Sequence, residues 1–265
     1  MKYSISNIAW DKDKDKEMYL YLNKLEIQGI EIAPTHIFGD NPYTKKTQAI
    51  DLKKDLRDKY NLEISSMQSI WFGRKERLFE SREERKFLLD YTKYAVEFAN
   101  ILECTNLVFG SPKNRVMKCA DDWKIAEEFF CILGDYSYKN NVIIALEANP
   151  KIYNTNFLNT TEETAEFVKK LNNKGIQINL DLGTMMQNDE SLDNVEKNLD
   201  IIHHVHISEP FLAPIQWRQI QRTVMKELKK NGYENYISIE MGNIHEIDKV
   251  KNIVEEMIEI GKDYD

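Results

Sequence analysis

The chain of 265 residues is predicted to fold as a single (β/α)8 TIM barrel, an α/β architecture that spans residues 1–265. Eight short β-branched runs alternate with eight longer amphipathic stretches, and no Pro/Gly/Ser-rich linker interrupts them. Strict β-α alternation implies parallel strands with helical crossovers, and the length suits one barrel. An open doubly wound sheet is the alternative, although it would usually leave a terminal helix pair or an insertion unaccounted for.

The predicted strands are the apolar, β-branched runs, which the chain presents in the order Tyr3–Ile8, Gly29–Ala33, Leu62–Ser69, Asn106–Gly110, Val142–Ala148, Ile176–Leu182, His203–Ser208 and Tyr236–Met241. The predicted helices have apolar residues at helical spacing and charged opposite faces; they are Lys16–Leu25, Gln48–Tyr60, Ser81–Leu102, Asp121–Lys139, Thr160–Leu171, Ser191–Leu199, Ile215–Lys230 and Glu246–Ile260. Ser81 and Glu84 form a capping-box pattern, and Thr161 precedes two acidic residues.

The phase of the strands predicts which side chains enter the barrel, because alternate residues of a strand point to opposite sides. In the fifth strand the apolar residues Val142, Ile144 and Leu146 would face the helices, which leaves Glu147 inside. The same reasoning predicts an outward His203. Five ionisable residues then point inward near the carboxyl ends of their strands, where barrel enzymes build their active sites: Glu31, Glu147, Asp181, His206 and Glu240.

These inward carboxylates predict a bound divalent cation. Several carboxylates buried together raise one another's pKa and resist leaving water, and a cation offsets that cost. Three carboxylates and one imidazole form a hard, oxygen-rich ligand set that favours Mn²⁺, Mg²⁺ or Co²⁺, with Zn²⁺ as a further option. Four of the five inward residues, Glu147, Asp181, His206 and Glu240, lie on the consecutive fifth to eighth strands.

The segments ALEANP, INLDLGTM, HVHISEP and SIEM contain these four residues at spacings of 34, 25 and 34. They resemble the metal-ligand segments of the xylose isomerase-like TIM-barrel superfamily, especially its tagatose/psicose 3-epimerase branch, over essentially the whole chain. The resemblance implies that these four residues are the ligands of one divalent metal, commonly manganese. It further implies a sugar isomerase or epimerase in which Glu147 and Glu240 are the acid/base pair. It also implies that Glu209 supports the site, and by analogy with such families it raises a homodimer as one assembly.

Two positions depart from the 3-epimerase pattern. Thr184 stands where that branch has a substrate-binding His, and Leu212 stands where it has an Arg. Because both family residues help to hold or polarise a ketose, the resemblance transfers the metal site better than the substrate. The identity of the sugar is therefore left open by the sequence.

Loops at the same end of the barrel offer groups for binding a sugar. Trp71 has a ring that could stack on the substrate, within a loop that could act as a lid. The other expected substrate-binding residues supply hydrogen-bonding groups; they are Glu31, His36, Gln68, Arg115, Asn149, Tyr153, Thr184 and Glu209.

Three alternative functions share this barrel. A polyol dehydratase would use the same metal and the same proton abstraction, and a non-catalytic sugar-binding barrel would suit the departures at Thr184 and Leu212. An endonuclease-IV-like phosphodiesterase would need two or three metals and more His ligands. The chain has 5 His in total, and Gln68 stands where the third strand would offer a further His.

Charge and composition limit the partners and the compartment. The formal net charge of −8 argues against nucleic acid, because nucleic-acid-binding domains carry a basic surface. No apolar stretch approaches the ~20 residues that span a bilayer, so no membrane association is expected. The three Cys form no CxxC pair, which suits a reducing compartment and predicts a cytoplasmic protein whose partner is a small sugar.

Overall fold

Eight parallel strands form one sheet that nearly closes into a barrel, in a computed structural model that describes residues 1–262. The strands are β1 (Lys2–Ile5), β2 (Gly29–Ile32), β3 (Glu63–Met67), β4 (Asn106–Phe109), β5 (Ile143–Glu147), β6 (Ile176–Asp181), β7 (Ile202–Ile207) and β8 (Tyr236–Ile239). Each strand pairs with the next one along the chain from β2 to β8, and β8 pairs with β1. A parallel bridge between Ser6 and Glu31 joins β1 to β2. The predicted (β/α)8 barrel is confirmed, and its predicted end at residue 265 lies outside the described residues.

The helices of residues 1–262 surround this sheet; they are α1 (Asp15–Lys24), α2 (Pro34–Phe38), α3 (Lys46–Tyr60), α4 (Arg82–Leu102), α5 (Asp122–Lys139), α6 (Thr161–Leu171), α7 (Leu182–Gln187), α8 (Asp193–Glu196), α9 (Gln219–Lys230) and α10 (Ile247–Lys262). The hydroxyl of Ser81 caps α4 by accepting a hydrogen bond of 3.1 Å from the Glu84 amide. Thr160, not Thr161, caps α6 in the same way, through the amide of Glu163 at 3.1 Å. In the part of the chain that the structure covers, no helix is long and apolar enough to cross a membrane.

The connection between β6 and β7 differs from the prediction. The sequence predicts one helix over Ser191–Leu199, whereas the structure has α7 directly after β6 and the single turn α8 further on. The carboxylate of Asp181 caps α7 by accepting from the Thr184 amide at 2.6 Å. A side chain expected to bind metal therefore also starts a helix, and the sequence pattern did not reveal that second role.

His203 faces the barrel interior, so the predicted outward orientation is wrong. The β6–β7 ladder pairs Ile178 with Ile202 and then Asn179 with His204, so His203 is an extra, unpaired residue. Such an irregularity reverses the alternation of side chains along the strand. The ring of His203 reaches Oδ1 of Asn106 on β4 at 2.8 Å, and burial lowers its pKa to about 4.

The two faces of the sheet have different chemistry. Outward residues such as Ile144, Leu180 and Val205 are completely buried against the helices. The lower part of the barrel interior contains small polar side chains, among them Ser4 and Ser65, whose hydroxyls hydrogen-bond each other across 2.6 Å. The apolar layer stabilises the barrel, while the polar interior leads up to the carboxyl ends of the strands, where the charged residues lie.

Candidate metal and active site

Four side chains from consecutive strands converge at the carboxyl ends of β5 to β8. Glu147, Asp181, His206 and Glu240 each offer one ligand atom, and these four atoms lie within 4.8 Å of one another. Nδ1 of His206 lies 3.1 Å from Oε1 of Glu147, 3.2 Å from Oε2 of Glu240 and 3.9 Å from Oδ2 of Asp181. One imidazole edge thus faces three carboxylates.

Glu147 is held by amide and guanidinium groups. Asn179 donates to its Oε1 at 2.7 Å, and Asn149 donates to its Oε2 at 3.0 Å. The completely buried Arg115 donates to Oδ1 of Asn149 at 2.6 Å and to the main-chain carbonyl of Glu147 at 2.7 Å. Gly110 leaves the room that this carboxylate needs, because a Cβ at that position would lie 2.7 Å from Oε2 of Glu147.

Asp181 is fixed through both carboxylate oxygens. Oδ1 accepts from the Thr184 amide at 2.6 Å, and Oδ2 accepts from the hydroxyl of Ser208 at 2.6 Å. The Ser208 hydroxyl in turn accepts from the Gly183 amide at 2.8 Å. Because β6 ends where α7 begins, the carboxylate is held by backbone of the same turn.

The second nitrogen of His206 points away from the carboxylates and into the barrel. Its Nε2 lies 3.0 Å from Oε2 of Glu31, and Nε2 of His204 lies 3.1 Å from the same oxygen. All three side chains are excluded from solvent. Glu31 therefore contacts two histidines inside the barrel and has no exposed surface through which it could reach a substrate.

The pKa values of the site reflect burial and crowding. Burial raises the pKa of Asp181 to about 6, and the charge of Glu147 adds to the shift. Burial likewise raises the pKa of Glu240 to about 7, helped by Glu147 and Asp181 and opposed by His206. For Glu147, burial is outweighed by hydrogen bonding and charge from His206, so its pKa is lowered. Burial opposes the charged form of His206, but Glu240 and Glu31 raise its pKa well above the usual value.

The donor set fits a divalent cation. Three carboxylates and an imidazole nitrogen supply negative charge and hard oxygen atoms, which cations such as Mn²⁺ and Mg²⁺ prefer and Zn²⁺ also accepts. The raised pKa values of Asp181 and Glu240 express how costly it is to ionise these carboxylates together without a counter-charge. A cation held by Glu147, Asp181, His206 and Glu240 would remove that cost.

An open cavity of about 190 Å³ lies against the three carboxylates of this group. Five of the expected substrate-binding residues line it together with Glu147, Asp181 and Glu240; they are Gln68, Asn149, Tyr153, Thr184 and Glu209. Glu209 is fixed there by Arg218, whose Nε donates to Oε2 at 3.0 Å. The strand ends thus bring most of the hydrogen-bonding groups expected from the sequence to one place.

Trp71, Arg115 and His36 lie elsewhere than the sequence suggested. The Trp71 ring is buried, with its Nε1 donating to Thr92 at 2.8 Å, so neither ring face is open for stacking. Arg115 is buried beneath Asn149 and cannot touch a ligand in the cavity. His36 lines a second cavity of about 510 Å³, which adjoins the first through Ser69 and Leu212.

Asn179 and Ser208, neither of which was predicted to be a site residue, contact the predicted metal ligands directly. Asn179 is two residues before Asp181 on β6, and Ser208 is two residues after His206. The period-2 alternation of a strand puts such pairs on the same face. The inward phase of β6 already includes Asn179, and extending the phase of β7 by one step would have found Ser208.

The two departures from the 3-epimerase pattern have local structural consequences. The Thr184 hydroxyl donates to the main-chain carbonyl of Ala148 at 2.9 Å, so it ties the end of β5 to α7. The main-chain carbonyl of Leu212 accepts from the Gly242 amide at 2.8 Å, while its side chain lines both cavities. The mouth of the site is therefore more apolar at residue 212 than an Arg would make it.

Several solved structures share this fold. D-psicose 3-epimerase, solved in the presence of D-fructose, matches with a TM-score of 0.80 at 16% identity, covering 98% of this chain and 99% of that chain. The 3-keto-D-glucoside 4-epimerase YcjR from E. coli matches with a TM-score of 0.79, 16% identity and coverage of 98% and 99%. The IolI protein with a bound zinc atom matches with a TM-score of 0.76, 16% identity and coverage of 100% and 99%. At these identities the likeness concerns the fold.

Comparison with curated proteins finds no match. A family model does match, over residues 20–263, and it describes the xylose isomerase-like TIM barrel. The matched range includes all four converging residues and the strands that carry them. The chain therefore belongs to the xylose isomerase-like TIM barrel family.

Proposed function

We propose that this protein is a divalent-metal-dependent isomerase or epimerase that acts on a sugar or a sugar derivative. The observation that carries the proposal is the convergence of Glu147, Asp181, His206 and Glu240 within 4.8 Å beside an open cavity. The family fits this function, since two of the structures that share the fold are sugar epimerases. Manganese is the metal we favour, because the ligand set is rich in carboxylate oxygen.

The reaction requires the removal of a proton from a carbon next to a carbonyl group. We assign that removal, and the return of a proton, to Glu147 and Glu240, whose carboxylates both line the cavity. General acid–base catalysis by a positioned carboxylate contributes roughly 10²- to 10⁴-fold. A divalent cation in the site would act as a Lewis acid that stabilises the negative charge of the enediolate.

The supporting residues hold Glu147 and the neighbouring carboxylate of Asp181 in place. Asn179 and Asn149 fix both oxygens of Glu147, and the neighbouring strand end is fixed by the contacts of Asp181 with Thr184 and Ser208. A carboxylate that is already oriented loses little freedom when it reacts, which lowers the barrier. The polar contacts around Glu147 and Asp181 therefore serve catalysis as well as folding.

We further propose that the end of the substrate farther from the reacting carbonyl extends into the second cavity. That cavity is larger than the first and shares Ser69 and Leu212 with its lining. Its lining combines polar groups with the exposed ring of Phe72, which is a surface on which a sugar could stack. The guanidinium of Arg74, 5.1 Å from the Tyr91 ring, is a further donor there.

The proposal is tested with metal-free protein supplied with Mn²⁺, Mg²⁺, Co²⁺ or Zn²⁺ and a panel of free ketoses, aldoses and their phosphates. We expect a new isomer of at least one sugar in NMR spectra, formed with metal and abolished by chelation. The matched control is Glu256→Gln, which changes an exposed carboxylate on α10. Isomer formation that is unaffected by chelation would contradict the metal requirement.

A further inference from the structure

We propose that Glu31 is a positioning residue that keeps a proton on Nε2 of His206 and so offers Nδ1 of that ring to the metal. The inference rests on the proposed metal-dependent function, but it concerns a residue outside the four ligands. Oε2 of Glu31 lies 3.0 Å from Nε2, on the edge of the ring opposite the carboxylates of Glu147 and Glu240.

The contacts of Glu31 fix where the protons lie. Its Oε2 is close to two ring nitrogens, Nε2 of His206 at 3.0 Å and Nε2 of His204 at 3.1 Å. A protonated carboxyl group could donate to one of these nitrogens, whereas an ionised carboxylate accepts from both. Only the second arrangement satisfies both imidazole N–H groups at this oxygen.

Burial makes that arrangement strongly preferred. Glu31 and His206 are 0% exposed and His204 is 1% exposed, so water cannot replace a missing partner. An unsatisfied donor or acceptor in such a place loses its full hydration without compensation. The three side chains therefore form a unit in which Glu31 accepts, and both histidines donate from Nε2.

This arrangement decides which nitrogen of His206 can bind the metal. With its Nε2 proton committed to Glu31, His206 can present a lone pair only at Nδ1, the nitrogen that faces the three carboxylates. A carboxylate that accepts from the remote N–H of a metal-ligating His also raises the basicity of the ligand. Because β2 and β7 lie apart in the sheet, this contact also orients the ring from across the barrel.

The direct test uses the zinc-loaded full-length protein with ¹⁵N-labelled histidine. We expect a slowly exchanging proton bonded to Nε2 of His206 and a metal-induced ¹⁵N shift at Nδ1. Zinc bound through Nε2, or zinc bound at Nδ1 without a proton on Nε2, would overturn this inference and leave the proposed metal-dependent function standing. Failure of the unmodified protein to bind zinc at these residues would overturn both.

The second test measures zinc affinity by competition with a chelating dye. Loss of a partner behind a ligating His typically weakens metal binding by roughly 10- to 100-fold. We expect a loss of that size for Glu31→Leu and a smaller one for Glu31→Gln, whose amide oxygen can still accept from one ring. The control Glu256→Gln should bind zinc as the unmodified protein does.

Comparison of Glu31→Leu with Glu31→Gln distinguishes a loss of His206 positioning from a general loss of structure. Partial rescue by Gln relative to Leu is expected if the acceptor at Nε2 is what matters. Affinities within twofold of the unmodified protein for both variants would overturn the inference. If Glu31→Leu fails to fold, the NMR measurement on the unmodified protein and the affinity of Glu31→Gln decide the question.

Discussion

The guanidinium of Arg115 donates a hydrogen bond of 2.7 Å to the main-chain carbonyl of Glu147. The same group holds Asn149, and Asn149 holds the Glu147 carboxylate. Burial lowers the pKa of Arg115 to about 10, which shows that the buried charge is costly. A residue expected to bind substrate is thus part of the support beneath a proposed catalytic carboxylate.

Replacement of Arg115 should affect the site more than the fold. We expect Arg115→Met to weaken Mn²⁺ binding by roughly 10-fold or more, because the Asn149 contact to Glu147 loses its anchor. The free energy of unfolding should change by less than ~2 kcal/mol, since lost hydrogen bonds are offset by removal of a buried charge. Calorimetric metal titration and urea unfolding measure the two effects. Arg82→Met, on the exposed start of α4, is the control, and equal metal affinity in both variants would contradict the support role.

A methyl group at residue 110 should disturb metal binding selectively. The Cβ of Gly110→Ala would lie 2.7 Å from Oε2 of Glu147, so the carboxylate has to shift away from its contacts. We expect weaker Mn²⁺ binding and slower turnover, with a thermal midpoint close to that of the unmodified protein when both are metal-free. Unchanged metal affinity would show that Glu147 does not need its present position.

Metal affinity should depend on pH. Protons compete with the cation for Asp181, whose pKa burial raises to about 6, and for Glu240, whose pKa burial raises to about 7. The apparent Mn²⁺ affinity should therefore rise from about pH 5 and continue to rise above pH 7, because His206, whose pKa is also raised, must lose the proton on Nδ1 before that nitrogen can bind metal. Isothermal titrations at a series of pH values measure this dependence, and an affinity that is constant across that range would contradict it.

The stability of the metal-free protein should fall as the pH rises, whereas the metal affinity rises. In the folded protein the pKa values of Asp181 and Glu240 lie above their values in the unfolded chain, which are about 4. Their contribution to stability is complete below that pH and is lost as the pH rises through about 6 and 7. Added Mn²⁺ should restore stability above pH 7, because a ligand that binds the folded state stabilises it. Thermal unfolding with and without metal at each pH checks both statements. His203, whose pKa is lowered by burial, contributes the opposite trend below about pH 6.5, so the decisive range is about pH 6.5 to 8. A metal-free stability that rises over that range would contradict the site electrostatics.

The second cavity predicts a preference for larger substrates. Removing the Phe72 ring, which is 67% exposed at that cavity, should raise KM about three- to tenfold for a ketose disaccharide such as lactulose, with little change in kcat. Tyr94→Ala, an exposed aromatic on α4, is the matched control. Equal KM values for Phe72→Ala and the unmodified protein would place the distal part of the substrate elsewhere.

The barrel and the inward orientation of its four converging residues could be predicted from the sequence because both follow from periodicity, whereas the choice of these four over Glu31 came from the family resemblance. Alternation along a strand assigns Glu147, Asp181 and Glu240 to one face, and parallel strands bring their carboxyl ends together. The orientation of His203 could not be predicted, because an extra residue in the β6–β7 pairing reverses the alternation locally. A bulge of this kind depends on the pairing of two strands, which one strand's sequence does not contain.

The predicted substrate-binding roles of Trp71 and Arg115 were wrong because both side chains are buried and have partners inside the protein. Trp71 and Arg115 occur in loops, where polar or aromatic side chains often reach the ligand, yet both are buried in this protein. Trp71 packs edge-on to Phe109 with ring centroids 4.6 Å apart, a contact between residues 38 positions apart in the chain. Such contacts depend on the packing of loops over strands, which residue spacing alone does not predict.

Exchange of a carbon-bound proton with solvent is the sharpest test of metal-dependent enolisation at this site, because it is detected even when the final product is unknown. In deuterated solvent with Mn²⁺, we expect deuterium at the carbon next to the carbonyl of a sugar in the panel of ketoses, aldoses and phosphates. Chelation should abolish that exchange, and Glu147→Gln and Glu240→Gln should each slow it by roughly 10²-fold or more while Glu256→Gln does not. Metal-independent exchange, exchange at near-normal rates in either active-site variant, or no exchange in any sugar would contradict the account.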